Sequence, residues 1–143
     1  MSSNQSQVVV AFDFSHSGQA ALYRAVALAS RAPFHVLHFA CIIDPHHGIP
    51  SIPTKHIDQD YVTRVRDEIA SLAEQELRAA NTPNRVHFNI HVLISRHAAR
   101  EILRVAEYVG ADLIIVGSKG LTGLERLVLG SVSEHVVREA KCS

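Results

Sequence analysis

Hydrophobic positions along the chain switch between two periods. Gln7-Val8-Val9-Val10-Ala11-Phe12 is β-branched and nearly continuous, the pattern of a strand buried on both faces in a parallel sheet. Asp13-Phe14-Ser15-His16-Ser17 breaks that run. Ala21, Leu22, Ala25, Val26 and Ala29 then recur at helical spacing, so an amphipathic helix is predicted over 18–31, with Ser17 as its N-cap. After Pro33, the stretch from Phe34 to Ile43 predicts a second buried strand, which completes a βαβ unit.

Three of the five prolines, Pro45, Pro50 and Pro53, crowd between Asp44 and His56 and predict an exposed loop there. Val62, Val65, Ile69, Leu72, Ala73 and Leu77 mark one face of a long helix over about 58–80, with Arg64, Asp67, Glu68 and Glu74 on the other. Val86, Phe88, Ile90 and Val92 alternate with His87, Asn89 and His91, the period of a half-covered strand near a sheet edge. A further helix carries Ala98, Ala99, Ile102, Leu103, Ala106 and Val109, and Gly110 stops it in the position that favours a left-handed residue. Asp112-Leu113-Ile114-Ile115-Val116 reads as a short parallel-type strand, and a last helix is expected over about 131–140. The order β-α-β-α-β-α-β-α predicts an α/β fold with helices on both faces of a parallel sheet. No repeat or linker interrupts it, so one domain is expected over 1–143.

With 143 residues, 47% of them hydrophobic, the chain is long enough for one real core. Fourteen basic residues balance fourteen acidic ones. A uniform field for nucleic acid or an anionic membrane is thereby excluded. The apolar run Val8–Phe12 ends at Asp13, far short of the roughly 20 residues that cross a bilayer, and no signal-peptide pattern precedes it. A cytosolic protein without nucleic-acid or membrane partners is expected. Cys41 and Cys142 are the only cysteines and form no C-x-x-C. Both are expected as free thiols, Cys41 within the core.

Four of the seven glycines, Gly117, Gly120, Gly123 and Gly130, fall between the most hydrophobic strand and the last helix. Gly117 lies at the carboxyl end of a strand, where open α/β sheets bind ligands and bare backbone can approach an anion. Gly130-Ser131 opens a helix whose free N–H groups favour a phosphate. Ser131-x-x-Glu134 is equally a capping box that needs no ligand. Walker and dinucleotide fingerprints are both missing, which argues against a P-loop NTPase or a dinucleotide-dependent dehydrogenase.

Gly117-Ser118-Lys119-Gly120, nine residues, then Gly130-Ser131 resembles the G-x2-G-x9-G-[ST] motif of the universal stress protein family, in its ATP-binding branch. The first strand with Asp13 to Ser15, Leu37-His38-Phe39, Gly110 to Ser118, and Gly130 to Val136 resemble the family as well. The resemblance implies a single-domain parallel-sheet sandwich, Rossmann-like and adenine nucleotide alpha hydrolase-like, with ATP across the strand ends and Mg or Mn as the accompanying metal. It implies that Asp13 holds the ribose hydroxyls or acts through that metal, with Ala11, Phe12 and Ser15 beside it. Backbone groups of Phe39 would meet the adenine edge. Val116, Gly117, Ser118, Lys119 and Gly120 would wrap the ribose and phosphates, and Gly130, Ser131, Val132 and Ser133 would take the phosphates. Nucleotide occupancy, with at most slow hydrolysis, would then be a stress-response signal. The alternative is a nucleotide-independent interaction module in which the glycines serve as turns.

Two features depart from the family pattern. Arg96 stands where a glycine is usual, and is expected to point to solvent. The chain ends at Lys141-Cys142-Ser143, where family members continue into a fifth strand that pairs across a homodimer. Either the chain is truncated or the sheet has four strands with an uncovered edge, and the dimer mode is left open. Ten histidines include His46, His47 and His56 in the Pro-rich loop, without zinc-type spacing, so no metal cluster is expected. His38 is expected to be a hydrogen-bonded interior histidine. Asp13, Ser15 and His16 match a hydrolase trio in composition only, since no G-x-S-x-G elbow occurs.

Overall fold

A computed structural model describes residues 5–31, 35–81, 86–118 and 130–143. The elements follow in strict alternation: β1 (Ser6–Ala11), α1 (His16–Arg31), β2 (His35–Ile43), α2 (Gln59–Ala79), β3 (His87–Ile94), α3 (Ala98–Val109), β4 (Leu113–Ile115) and α4 (Ser131–Glu139). All pairings are parallel and the sheet order is β3-β2-β1-β4. β3 lies at one edge, as its alternating pattern predicts. At the other edge the Ile114 N–H donates to the Ser143 carbonyl at 2.7 Å, so the edge of β4 that a four-stranded sheet would leave uncovered is met by backbone from the tail.

The sheet divides the interior into two cores. Val8, Val10, Phe12, Leu37, Phe39, Cys41 and Ile43 point toward α1 and α2 and pack on Leu22, Val26, Val65 and Ile69. Val9 and Ala40, with Ala11, Ile42 and Ile114, point the other way, toward Ile102, Val105 and Ala106 of α3 and Val136 of α4. Alternation along β1 and β2 therefore assigns every residue to one face.

Helix ends show where local chemistry overrides pattern. α1 starts at His16, two residues earlier than periodicity suggests, because the Ser15 hydroxyl accepts from the Gly18 N–H at 3.0 Å. Ser15, not Ser17, makes the cap, and Ser17 sits in the first turn. α2 is capped by Asp58, which accepts from the Tyr61 N–H. α3 ends at Gly110 in the left-handed conformation, φ 65°, as the sequence predicts. α4 has Gly130 as its N-cap and, among the described residues, no side-chain capping bond. The capping-box alternative is not formed: Ser131 is already inside the helix, and the Ser133 hydroxyl donates to the Gly130 carbonyl at 2.9 Å.

The Pro-rich segment after β2 is less exposed than expected. Ile49 and Ile52 are buried and form an antiparallel bridge. Between them, the Tyr61 hydroxyl accepts from the Ile49 N–H and donates to the Ile52 carbonyl, both at 2.7 Å. Among the described residues no helix is long and apolar enough to cross a membrane.

Candidate functional site

At the carboxyl ends of β1 and β4 a cavity of about 220 Å3 opens between the first turns of α1, α3 and α4. Ala11, Phe12 and Asp13 reach it from β1, Val116 and Gly117 from β4, and Gly130, Ser131, Val132 and Ser133 from α4. Two strands that neighbour each other in the sheet send their connections to opposite faces, α1 on one and α4 on the other, which leaves a crevice at that point.

Asp13 is held by the turn that starts α1. Its Oδ1 accepts from the Ser15 N–H at 3.0 Å and from the Ser15 hydroxyl. Phe14 adopts φ 66° to make this turn, and its ring packs edge-on against Phe12 at 4.7 Å. Gly18 is required by this arrangement, since a Cβ there would stand 2.5 Å from Asp13 Oδ1. On the neighbouring strand β2, burial pushes the Cys41 thiol up to about 12, with the Asp13 charge as the second cause. Cys41 is therefore an inert core thiol, as expected.

Gly117 has a structural reason of its own. A Cβ there would come within 2.8 Å of the Ser17 backbone carbon, so the glycine lets α1 close against the end of β4. The Ser118 carbonyl accepts from the Gly130 N–H at 2.7 Å, which ties the two ends of the intervening connection together. Lys119 and Gly120 lie outside the described residues.

Not every candidate meets at the cavity. The Phe39 ring lies on the opposite face, edge-on to Phe88 at 5.9 Å, and its neighbours Ala40 and Ile42 line the cavity instead. Ala98 and Ile102 of α3 complete that apolar wall. The signal for Ala40 and Ile42 was face parity: Ala11 pairs with Ala40 in register, so residues on the Ala40 side share the Ala11 side.

A model of the universal stress protein family matches residues 6–143. The chain belongs to the universal stress protein family. Universal stress protein YxiE of Bacillus subtilis is 30% identical over 142 residues, covering 95% of this chain and 94% of that protein. With universal stress protein MJ0531 of Methanocaldococcus jannaschii the match is 54% identical but confined to 44 residues, 31% of this chain and 26% of that one. Among solved structures, universal stress protein UspA from Lactobacillus plantarum superposes with a TM-score of 0.63 at 23% identity, covering 99% of this chain and 96% of that one. A universal stress protein in complex with cAMP gives a TM-score of 0.64 at 23% identity, covering 97% and 93%. These neighbours share the Rossmann-like α/β fold.

The remaining candidates of this universal stress protein sit away from the cavity walls. Arg96 is exposed and its guanidinium contacts the His46 ring, so it bridges the β2–α2 and β3–α3 connections. Asp44 accepts from the backbone N–H groups of His46 and His47, and the His46 bond holds its carboxyl below the usual range. No three His, Cys, Asp or Glu side chains converge on a metal-sized point among the described residues. His38 is buried and hydrogen-bonded, as expected.

Proposed function

We propose that this chain is a single-domain, nucleotide-binding member of its family that takes ATP, with Mg or Mn, at the cavity between β1 and β4. Occupancy of the site, with at most slow hydrolysis, is its output in a stress response. The observation that carries the reading is that α4 opens at Gly130 with no side-chain cap among the described residues, onto the cavity that also receives Asp13. Uncapped N–H groups and the positive end of the helix dipole suit phosphate oxygens. A carboxylate suits two ribose hydroxyls or a metal carried by the phosphates. Asp13 Oδ1 is engaged inside its turn, so Oδ2 is the oxygen assigned to the ligand. Ala11, Ala40, Ile42, Ala98 and Ile102 offer an apolar slot for a base.

The volume of about 220 Å3 is below the roughly 300–1,000 Å3 of pockets that enclose drug-sized ligands. A nucleotide would therefore extend beyond these walls past Ser118 and Gly130. The family neighbour described as a complex with cAMP supports an adenine nucleotide as the ligand class. A cytosolic location, a homodimeric state and the absence of nucleic-acid or membrane partners belong to the same reading, on the zero formal charge and on family membership.

The test is to denature freshly purified protein, identify released nucleotide by mass spectrometry, and titrate the emptied protein with ATP and magnesium by calorimetry. Stoichiometric ATP or ADP, or tight rebinding, is expected. Asp13→Ala and Gly130→Val should each weaken binding by about 10–100-fold, the loss expected when charge-assisted bonds or close backbone approach are removed. A folded protein that carries no nucleotide and gives no heat would overturn the reading in favour of an interaction module.

A further inference from the structure

The other half of the sheet carries a feature that the cavity does not use. On the face toward α3, Gln7 of β1, His38 of β2 and His91 of β3 form a hydrogen-bonded row across three strands. His38 Nε2 lies 2.7 Å from Gln7 Oε1, and His38 Nδ1 lies 3.1 Å from His91 Nε2. The rings are 5.3 Å apart and tilted by 38°. Gln7 Oε1 only accepts, so His38 carries its proton on Nε2. Its Nδ1 is then a lone pair, and His91 must donate from Nε2.

We propose that this His38–His91 pair is a proton-operated latch on the edge strand: with both rings neutral it ties β3 to β2 and β1, and acidification releases β3. The first proton the pair takes up leaves one shared proton between His38 Nδ1 and His91 Nε2, whichever ring carries the charge, and so does not break the bond. A proton on His91 Nδ1 would leave the bond but set a cation against its surroundings. The doubly charged pair has two N–H groups opposed at hydrogen-bond distance and cannot form the row.

The surroundings disfavour charge. Burial lowers the pKa of both rings, with His91 adding to the effect on His38 and Arg66 of α2 to that on His91. α3 covers this face with Ala99, Ile102, Val105 and Ala106, while its Glu101 and Arg104 pair with each other at 3.1 Å. On α4, Arg138 engages Glu134 and Glu139. Asp112 accepts from the Gln7 N–H at 2.8 Å. His87 is the other titratable group on this side of β3 and is exposed. His35 pairs with Ser6 and so lies on the opposite face.

Both pKa values are lowered in the folded state, so the unfolded chain binds protons first as pH falls. The latch contributes fully above the ordinary histidine value of about 6.5, and its contribution is lost as pH falls below that toward the folded values. β3 is the element that opens because, among the described residues, it has a strand neighbour on one side only. The inference concerns the strand and holds whether or not the cavity takes a nucleotide.

Hydrogen–deuterium exchange of the full chain at pH 7.5 and 5.5, corrected for intrinsic rates, tests it. Amides of residues 87–94 should lose protection by about tenfold or more at pH 5.5 relative to those of β1, a difference of ~1.4 kcal/mol. The double variant His38→Gln/His91→Gln should abolish that pH dependence, and His87→Gln should leave it intact. Imidazole NMR of the wild type gives a second readout that needs no variant: both rings should be neutral Nε2–H tautomers at pH 7.5 and titrate below free histidine. Exchange at β3 that ignores pH, an undiminished response in a folded double variant, or two rings that titrate independently near 6.5 would each overturn the latch.

Discussion

The two faces of β2 are built to different standards. Toward α1 and α2 it presents Leu37, Phe39, Cys41 and Ile43, all fully buried in one continuous core. Toward α3 and α4 it presents Val36, His38, Ala40 and Ile42, by strict alternation from the same strand. The first face is filled to capacity. The second ends at the cavity with Ala40 and Ile42 and carries the histidine row farther back along the strand. A strand thus supplies stability from one side and chemistry from the other, because a packed face has no room for a ligand and a ligand face cannot be fully packed.

Three changes would break or sharpen this contrast. The largest effect is expected from Phe39→Ala, which empties the filled face at a residue with no solvent exposure and removes its edge contact with Phe88. Unfolding in urea should show a loss of about 3–5 kcal/mol. A loss under about 1 kcal/mol would mean that the face is loosely packed.

Next is Gly117→Ala, at the seam where α1 closes on β4. The new Cβ would meet the Ser17 hydroxyl first, which can rotate away, and the Ser17 backbone carbon at 2.8 Å, which cannot, so α1 must shift. Stability should fall by about 1–3 kcal/mol. An unchanged midpoint would show that the glycine is held for ligand approach alone. The smallest perturbation is labelling with a thiol reagent under native conditions. Cys142, half-buried with its pKa raised by burial first and Asp112 second, should react slowly. Cys41, pushed up to about 12, should react only after unfolding, and labelling of Cys41 in the native protein would contradict a sealed core.

The sequence announced the alternation of strands and helices, the edge position of β3 and the Gly110 stop, because each follows from local periodicity or from one residue's backbone freedom. It did not announce which serine starts α1. Ser15 and Ser17 are both acceptable caps, and only the turn through Phe14, which brings Ser15 beside both Asp13 and Gly18, decides between them. The same holds at α4, where a plausible Ser131 cap yields to Gly130 because the backbone is extended one residue earlier. Proline content hid the burial of Ile49 and Ile52, whose reason is a hydroxyl on the next helix. The His38–His91 contact joins residues far apart in the chain and depends on strand register, which one sequence does not encode by spacing.

Much of the candidate site was legible for a simpler reason. Asp13, Gly117 and the Gly130–Ser133 turn all stand at element boundaries, where a break in period marks the end of a strand or the start of a helix. Ala40 and Ile42 were missed because they lie inside a strand and differ from Phe39 only in parity.

The Tyr61 hydroxyl has a practical consequence for anyone who wishes to modify the molecule. By clasping Ile49 and Ile52 it pins the middle of the β2–α2 connection to the body of the protein, and Asp58 fixes the start of the helix that follows. Pro53, Thr54, Lys55 and His56, all exposed, hang between two anchors as a short festoon. A peptide epitope or a fluorescent reporter grafted there would ride outside both cores, at a loop tip of the kind where insertions are best tolerated.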